Sequence, residues 1–482
     1  SCPFTLYINY KELSMCAKKQ MVKFMCNECG AESLQWLGRC PLCGEWNTME
    51  EIKASKSEYP ASVLLSTGTK VKKAVKLSDI EVAGEKRFPT QITEIDRTLG
   101  GGIVPGSVIL FGGEPGIGKS TLILQICNAL ALQNIVVLYC SGEESEQQLK
   151  IRAERLCVDM QPYFVLSENN LETVIEIISK IKPKFVVIDS IQTVYSVNND
   201  SPMGSPNQIK AVTAILNQLA KTHNITFLIV GHVTKEGNLA GPRMLEHMVD
   251  VVLYLEGDRS YQFRVLRTVK NRFGSTAETG LLVMEEKGLR EITNPSEYLV
   301  RKKEEPVAGS VITPCMEGQR AIMVEIQALS VHSVLNIPRR ISVGYDYNRM
   351  IVLLAVLEKR TKLPFSTKDV YVNVASGFRV QETAADLATA MAIVSSQWDI
   401  SIPSHIIALG EISLTGEILP VSHITTRIKE AIKMGNTTFI CPLGNKMEIE
   451  NFFTHSKNHL IKTIFVDKLS EVVQLMEGLR SK

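Results

Sequence analysis

Residues 107–121 read SVILFGGEPGIGKST, and no other stretch constrains the fold of this chain as tightly. An apolar run leads into a glycine-rich turn, and an amphipathic segment follows. Gly113, Glu114, Pro115, Gly116, Ile117, Gly118, Lys119 and Ser120 satisfy the spacing G-x-x-x-x-G-K-[ST], and Thr121 continues into the helix. Glycines there let backbone N–H groups close around phosphate oxygens, and the helix N-terminus adds the positive end of its dipole. The Lys119 ammonium is placed to reach the outer phosphates, and the Ser120 hydroxyl to ligate Mg2+. The expectation is an α/β unit with a parallel sheet that binds a nucleotide.

Three further strand ends fit the same sheet, since functional groups in open α/β folds gather at the carboxyl ends of strands. IVVLYCSGEES ends one strand with Glu143 and Glu144, KFVVIDS ends another with Asp189, and ITFLIVGHV ends a third with His232. Asp189 follows an apolar run, the pattern of an acid that supports Mg2+. Glu143 is either an acid at a helix start or the carboxylate that polarises an attacking water; the catalytic role is the expectation. His232 is either an ordinary strand-end histidine or a sensor of the γ-phosphate, and the second is expected. A hairpin follows, VVLYLEG then YQFRVLRTVKNRFG, turning at Asp258–Ser260. Its second strand ends in Lys270 and Arg272. Such a pair is usually solvated surface, but in an oligomeric ATPase it reaches a neighbouring subunit's γ-phosphate as an arginine finger does.

Size and charge bound the rest. A chain of 482 residues is long for one domain and predicts two to four. Lys plus Arg is 53 against 51 for Asp plus Glu, which excludes a surface that is one large polyanion clamp but leaves room for a local basic groove. Eleven cysteines is an odd number, so a fully paired secreted framework is excluded. No run approaches the roughly 18 apolar residues of a membrane span. Residues 1–20 lack an uninterrupted apolar stretch; Ser1 is not an initiator methionine, and this segment is set aside as an extension. The chain reads as cytoplasmic and reducing.

Four of the cysteines are Cys26, Cys29, Cys40 and Cys43, a C-x2-C, ten residues and a second C-x2-C. Two such knuckles place four thiolates within tetrahedral reach of one Zn2+, and Gly30 and Gly44 permit the turns. The segment is too short and polar to fold on its own core, so a metal would supply much of its folding energy. A disulfide pair is disfavoured in a reducing cell, and a redox motif would stand alone before a helix. Residues 53–76 then hold six lysines and one glutamate among Ser, Thr, Pro and Gly, the composition of a flexible tether or of a contact with nucleic-acid phosphates.

Taken together, the four-cysteine ribbon, TEIDRTLGGGIVPGSVILFGGEPGIGKST, SGEES, VIDSIQT, GHVTKEG, GPRMLEHMVD and KNRFGS resemble the bacterial RadA/Sms family of DNA-repair proteins, RecA-like ATPases, over about residues 22–482. KNRFG is the most discriminating of these. The resemblance implies an ATP- and Mg2+-dependent ring, expected to be a hexamer, that moves on single-stranded DNA and remodels branched recombination intermediates beside the RecA recombinase. It also implies that Lys119, Ser120 and Asp189 serve ATP and Mg2+, that Glu143 is the catalytic carboxylate, and that Lys270 and Arg272 act between subunits.

Two loops are the DNA candidates. VNNDSPMGSPNQIK follows the Asp189 strand and TKEGNLAGPR follows the His232 strand. Both are rich in Gly, Pro, Asn and Ser and are expected to be mobile at the catalytic edge. Lys210, Lys235 and Arg243 would contact phosphates there, which positions a strand without reading its sequence. Neither loop carries an aromatic residue, so base stacking on them is not indicated.

Beyond EEPVAGSVIT, strands and helices alternate: AIMVEIQALSV, MIVLLAVLEKRT, DVYVNVAS, TAADLATAMAIVSSQW, HIIALGEIS and RIKEAIKMG. This part resembles the proteolytic domain of the Lon protease. A peptidase needs a nucleophilic serine and a lysine base, yet Ala384 stands where the resemblance places the serine and Thr425 where it places the lysine. Ser395, Ser396 and Lys429 are read as ordinary helix residues. The domain is expected to be an assembly scaffold, with Arg339, Arg340, Arg349 and Arg379 either scattered surface charge or a DNA-binding face.

The predicted division is an extension (1–20), a zinc ribbon (21–50), a basic linker (51–85), a RecA-like α/β ATPase (86–300) and an α+β Lon-protease-like scaffold (301–482). The favoured function is a DNA-dependent, helicase-like ATPase. An ATP-driven clamp that does not translocate uses the same motifs, and an ATP-dependent peptidase is disfavoured by the missing dyad.

Overall fold

The computed structural model describes residues 23–26, 32–42, 44–52, 87–156, 163–232, 244–257, 263–300, 305–334, 336–454 and 461–480. The segment 1–20, the basic linker and the Asp258–Ser260 turn lie outside the described residues.

The N-terminal ribbon is a small antiparallel sheet of β1 (Lys23–Cys26), β2 (Glu32–Ser33) and β3 (Met49–Ile52), with β1 in the middle. Its core is Cys26, Cys40 and Met49, packed by Phe24 and Leu37.

The central layer runs α1 (Thr93–Thr98), β4 (Val108–Gly113), α2 (Lys119–Ala131), β5 (Val137–Ser141), α3 (Glu146–Arg155), β6 (Tyr163–Ser167), α4 (Leu171–Ile181), β7 (Phe185–Asp189), α5 (Pro206–His223), β8 (Thr226–His232), α6 (Met244–Met248), β9 (Val251–Glu256), β10 (Phe263–Asn271), β11 (Thr279–Glu285), β12 (Gly288–Glu291) and α7 (Pro295–Leu299). Its nine strands lie in the order β12-β11-β10-β9-β4-β8-β7-β5-β6; β9 to β6 are parallel and β10 to β12 extend the sheet antiparallel. All six residues of β4 are buried, as an interior parallel strand requires. Alternation along it sorts the layers: Ile109 and Phe111 pack with α2 and α3, whereas Val108 and Leu110 pack with α4 and α5. Local signals agree with the helices. Ser145 and Gln148 form a capping box on α3, and Ser205 caps α5 ahead of Pro206.

The C-terminal layer comprises β13 (Ser310–Glu317), β14 (Arg320–His332), β15 (Arg340–Val343), α8 (Tyr347–Thr361), β16 (Lys368–Val374), α9 (Asp386–Trp398), β17 (Ile406–Ala408), β18 (Glu411–Ile412), β19 (Ile418–Leu419), α10 (Ile424–Lys433), β20 (Thr438–Pro442), α11 (Lys446–Thr454), β21 (Lys462–Val466) and α12 (Leu469–Arg480). A seven-stranded mixed sheet, β15-β16-β14-β13-β17-β20-β21, is its spine. The two layers share a core: Phe263, Val265, Leu281 and Val283 of the β10–β11 hairpin pack with residues of α8, α9 and α12. Phe263 and Phe378 meet edge to face with centroids 6.0 Å apart. Helix α7 also sits on this side, because Ser296 donates to Glu430 at 2.6 Å and accepts from the Met323 N–H.

Candidate nucleotide site

The parallel register carries Gly113, Ser141, Asp189 and His232 to one edge of the central sheet. Ser141 is paired with Asp189 across β5 and β7, and Gly113 with His232 across β4 and β8. The loop after β4 ends in Gly118 at φ +116°, a conformation that strains any residue with a Cβ, and the Met284 methyl would also have to move to admit one. Helix α2 begins at Lys119 with no side-chain cap on its N-terminus. Its first-turn N–H groups therefore face the loop as donors, the arrangement that suits an anion.

The Lys119 ammonium is buried and donates to the carbonyls of Gly113 at 2.7 Å and Glu114 at 3.0 Å, folded back over the loop. Ser120 Oγ donates to Asp189 Oδ2 at 3.2 Å. A hydroxyl and a carboxylate so juxtaposed, beside a phosphate-sized glycine loop, fit a magnesium ion by the chemistry of the donors, which are all hard oxygens. The SGEES turn is held by Ser141, whose hydroxyl accepts from the N–H groups of Glu143 and Glu144. Gly142 passes so close to Thr193 that a Cβ would stand 2.1 Å from its hydroxyl. Glu143 is exposed at this edge and its Oε1 accepts from Ser190 Oγ at 2.6 Å; Glu144 instead pairs with Arg152 at 2.6 Å.

Sequence reasoning missed three of these supports. Ser190 anchors Glu143. Tyr139, fully buried in β5, donates its hydroxyl to Asp189 Oδ2, and burial with the nearby Asp189 charge pushes its phenol well above the usual range. Arg264 is buried in β10 and donates to the Ile117 carbonyl at 3.1 Å, so a guanidinium stands behind the phosphate loop. Tyr139 sits in the buried strand VLYCS and Arg264 in the mixed strand FRVLRTVKN, and neither context signals the role.

Lys270 and Arg272 lie elsewhere. Strand β10 runs antiparallel to β9, and Asn271, Val251 and Ile109 are in register. That level is four residues before Gly113, roughly 13 Å along the strand, so both cations stand toward the opposite edge from Lys119. Lys270 donates to the carbonyls of Glu246 and His247 at 2.8 and 3.2 Å, and burial and the Arg272 charge push its ammonium down. Arg272 pairs with Asp250 at 3.0 Å, while Asp250 also accepts from the Val108 N–H. The next residues, Phe273 and Gly274, pack on the Gly100 turn, held there by Arg87.

Of the DNA candidates, Lys210 is half-buried near the start of α5, whereas Lys235 and Arg243 lie outside the described residues, as does the side chain of His232. At the start of the first loop, Glu172 accepts from Ser196 Oγ at 2.5 Å and from Asn198 at 2.9 Å, and Asn199 accepts from the Ser201 N–H. In the ribbon, Cys26 and Cys40 are buried together, while Cys29 and Cys43 lie outside the described residues.

Among the C-terminal arginines, half-buried Arg349 pairs with the buried Asp386 and donates to the Ile412 carbonyl at 2.8 Å, and half-buried Arg340 donates to the carbonyls of Phe365 and Lys368. Arg339 and Arg379 are exposed. Ser395 accepts from the Gly309 N–H and donates to the Ile400 carbonyl, Ser396 accepts from the Ser330 N–H, and Lys429 lies over the Phe452 ring. Ala384 is buried in an apolar cluster with Met323, Val421 and Ile424.

Comparison with known proteins fits this geometry. The chain is 48% identical over 432 residues to the DNA repair protein RadA of Listeria monocytogenes, covering 90% of this chain and 94% of that one. The chain belongs to the RadA family of DNA repair proteins. RadA of Bacillus subtilis is 48% identical over 429 residues, with 89% and 93% covered, and RadA of Streptococcus pyogenes is 47% identical over 424 residues, with 88% and 93% covered. Family models match residues 72–238 as an AAA domain, 24–51 as a rubredoxin metal binding domain and 348–445 as subunit ChlI of Mg-chelatase. A solved ATPase domain aligns with 45% of this chain and 95% of its own length at 14% identity and a TM-score of 0.39. This RadA-family chain thus joins a zinc-ribbon type N-terminus, a parallel α/β layer matched as an AAA domain and a C-terminal layer matched in part as subunit ChlI of Mg-chelatase. Among the described residues, no helix is long and apolar enough to cross a membrane.

Proposed function

We propose that this chain is a DNA-dependent ATPase of DNA repair and homologous recombination, a cytoplasmic ring-shaped motor, hexameric by family resemblance, that unwinds or migrates branched intermediates on single-stranded DNA beside the RecA recombinase. The observation that carries the reading is the split of one catalytic set across a single domain. Lys119, Ser120, Glu143 and Asp189 share one sheet edge, while Lys270 and Arg272 stand roughly 13 Å down the strands. Cations so placed serve a phosphate only when a neighbouring copy presents its loop to them.

In this reading residues 113–121 hold ATP, with Lys119 on its outer phosphates. Ser120 and Asp189 hold Mg2+, which supplies charge neutralisation at the β- and γ-oxygens. Glu143, fixed by Ser190, orients the attacking water and takes its proton, and His232 reports the γ-phosphate from beside Gly113. Lys270 and Arg272 couple hydrolysis to DNA held by Lys210, Lys235 and Arg243. The four ribbon cysteines hold Zn2+, and residues 301–482 scaffold assembly without peptidase chemistry.

ATP hydrolysis measured with and without single-stranded DNA tests this directly. Stimulation by DNA and its loss in Lys119→Ala are expected; no stimulation across salt and DNA length would overturn the DNA-dependent reading. Strand displacement on forked DNA with ATP separates the motor from a clamp, since ATPase activity without displacement leaves only the clamp.

A further inference from the structure

We infer that Tyr139 is a positioning residue for the magnesium site, holding the Asp189 carboxylate through its phenol hydroxyl. Asp189 Oδ2 accepts two hydroxyls, one from Ser120 on the helix that follows the phosphate loop and one from Tyr139 beneath it. The two donors differ in what a metal does to them. Ser120 belongs to the proposed metal shell, and its oxygen would turn a lone pair to the ion while its hydrogen stays directed at Asp189. Tyr139 is fully buried on the neighbouring strand, stacked edge to face on Tyr163 with centroids 6.5 Å apart, and is not exposed to solvent or ligand. Burial and this contact hold the ring in place beside Asp189.

A buried phenol hydroxyl without an acceptor costs free energy, and a charged acceptor strengthens the bond it makes. The hydroxyl thus fixes the rotamer of Asp189. The metal-holding carboxylate is in this way set from inside the sheet, before any ligand arrives.

The inference rests on the reading of Asp189 as the metal-supporting acid, and the test separates the two. Binding of a fluorescent, non-hydrolysable ATP analogue to the full-length protein is titrated with Mg2+ in wild type, Tyr139→Phe, Tyr163→Phe, Asp189→Asn and the Tyr139→Phe/Asp189→Asn double variant. Affinity without Mg2+ is expected to be unchanged in Tyr139→Phe, while the Mg2+ midpoint rises about tenfold, the scale of one hydrogen bond to a charged group. Tyr163→Phe, which removes the neighbouring buried hydroxyl, leaves the midpoint at the wild-type value, and the double variant equals Asp189→Asn alone. An unchanged midpoint in Tyr139→Phe, an equal shift in Tyr163→Phe, or additive effects in the double variant would each overturn the role of Tyr139. A wild-type midpoint in Asp189→Asn would instead remove the reading beneath it.

Discussion

Arg427 donates to both carboxylate oxygens of Glu382, each at 2.6 Å, and two further bonds to the Pro314 and Ser422 carbonyls at 2.9 Å complete its coordination. Only 1% of the arginine is exposed. Glu382 and Arg427 each lie two residues from a position, Ala384 and Thr425, that the protease resemblance gives to the catalytic pair. An ion pair of a buried arginine and a half-buried glutamate therefore stands beside the place where a dyad would be, and Ala384 itself packs among apolar side chains. Removing one partner of a fully buried pair costs about 3–5 kcal/mol, and the 24% exposure of the Glu382 side chain lowers that cost. Arg427→Met should lower the stability of the C-terminal layer by less than that amount but measurably in denaturant titration, and Glu382→Leu/Arg427→Met should recover most of it. A single variant as stable as wild type would contradict the pair's structural role.

The same geometry forecasts that restoring the dyad by Ala384→Ser/Thr425→Lys yields no peptidase. The new serine would sit in the cluster of Met323, Val421 and Ile424, without water or room for a peptide. Casein hydrolysis above the wild-type background would show that the site is only two substitutions from activity.

Lys270 provides the test of action between subunits. Lys270→Ala is expected to bind ATP as wild type does and to lose turnover, because its ammonium stands far from its own phosphate loop. Co-expressing it with Lys119→Ala should restore hydrolysis, since a mixed assembly joins an intact loop on one chain to an intact Lys270 on the next. A mixed assembly no more active than either parent would remove the trans role.

Much of this site was legible because its chemistry prescribes residue types at fixed spacing. A phosphate loop needs its glycines, lysine and hydroxyl in order, and an acid after an apolar run marks the carboxyl end of a buried strand. The supports were not legible. Tyr139 meets Asp189 fifty residues away, and Arg264 meets Ile117 across 147. Only sheet order, which puts β5 beside β7 and leaves one strand, β9, between β10 and β4, brings such partners together, and no local pattern encodes that order. The Arg349 pair was hidden for the same reason: its partner Asp386 starts a different helix and is buried by the fold. In the first candidate DNA loop, composition does not say which Asn and Ser find an acceptor such as Glu172.

Glu317 and Arg267 join the two layers, with nitrogen and oxygen 2.5 Å apart. Burial pushes the Glu317 carboxyl up from its ordinary value, and the Arg267 charge pulls it back only in part. A folded-state value above the unfolded one means that the native state binds the proton more tightly. Its contribution is full below the unfolded value of about 4.3 and declines as pH rises through the folded value. Glu317→Gln lacks this titration. Its melting temperature relative to wild type should therefore climb as pH rises from 4 toward 7, as measured by differential scanning calorimetry at matched ionic strength. A difference that stays flat or falls would show that Arg267 outweighs the burial.

The ribbon is expected to depend on metal more than on its own core. Cys26, Cys40 and Met49 are its buried side chains among the described residues, and Leu34, Trp36, Leu42 and Trp46 are exposed. So few buried groups do not offset the chain entropy of ordering the ribbon. Metal analysis should give about one zinc per chain if four thiolates bind it, and Cys26→Ser or Cys40→Ser should lose it. Hydrogen exchange supplies the structural readout. Stripping the metal with a chelator should abolish amide protection in the β1–β3 ladder, where Phe24 pairs with Glu51 and Met25 with Glu50, while protection in β4 is unchanged. Ladder protection that survives complete removal of the metal would mean the ribbon folds on side-chain packing alone.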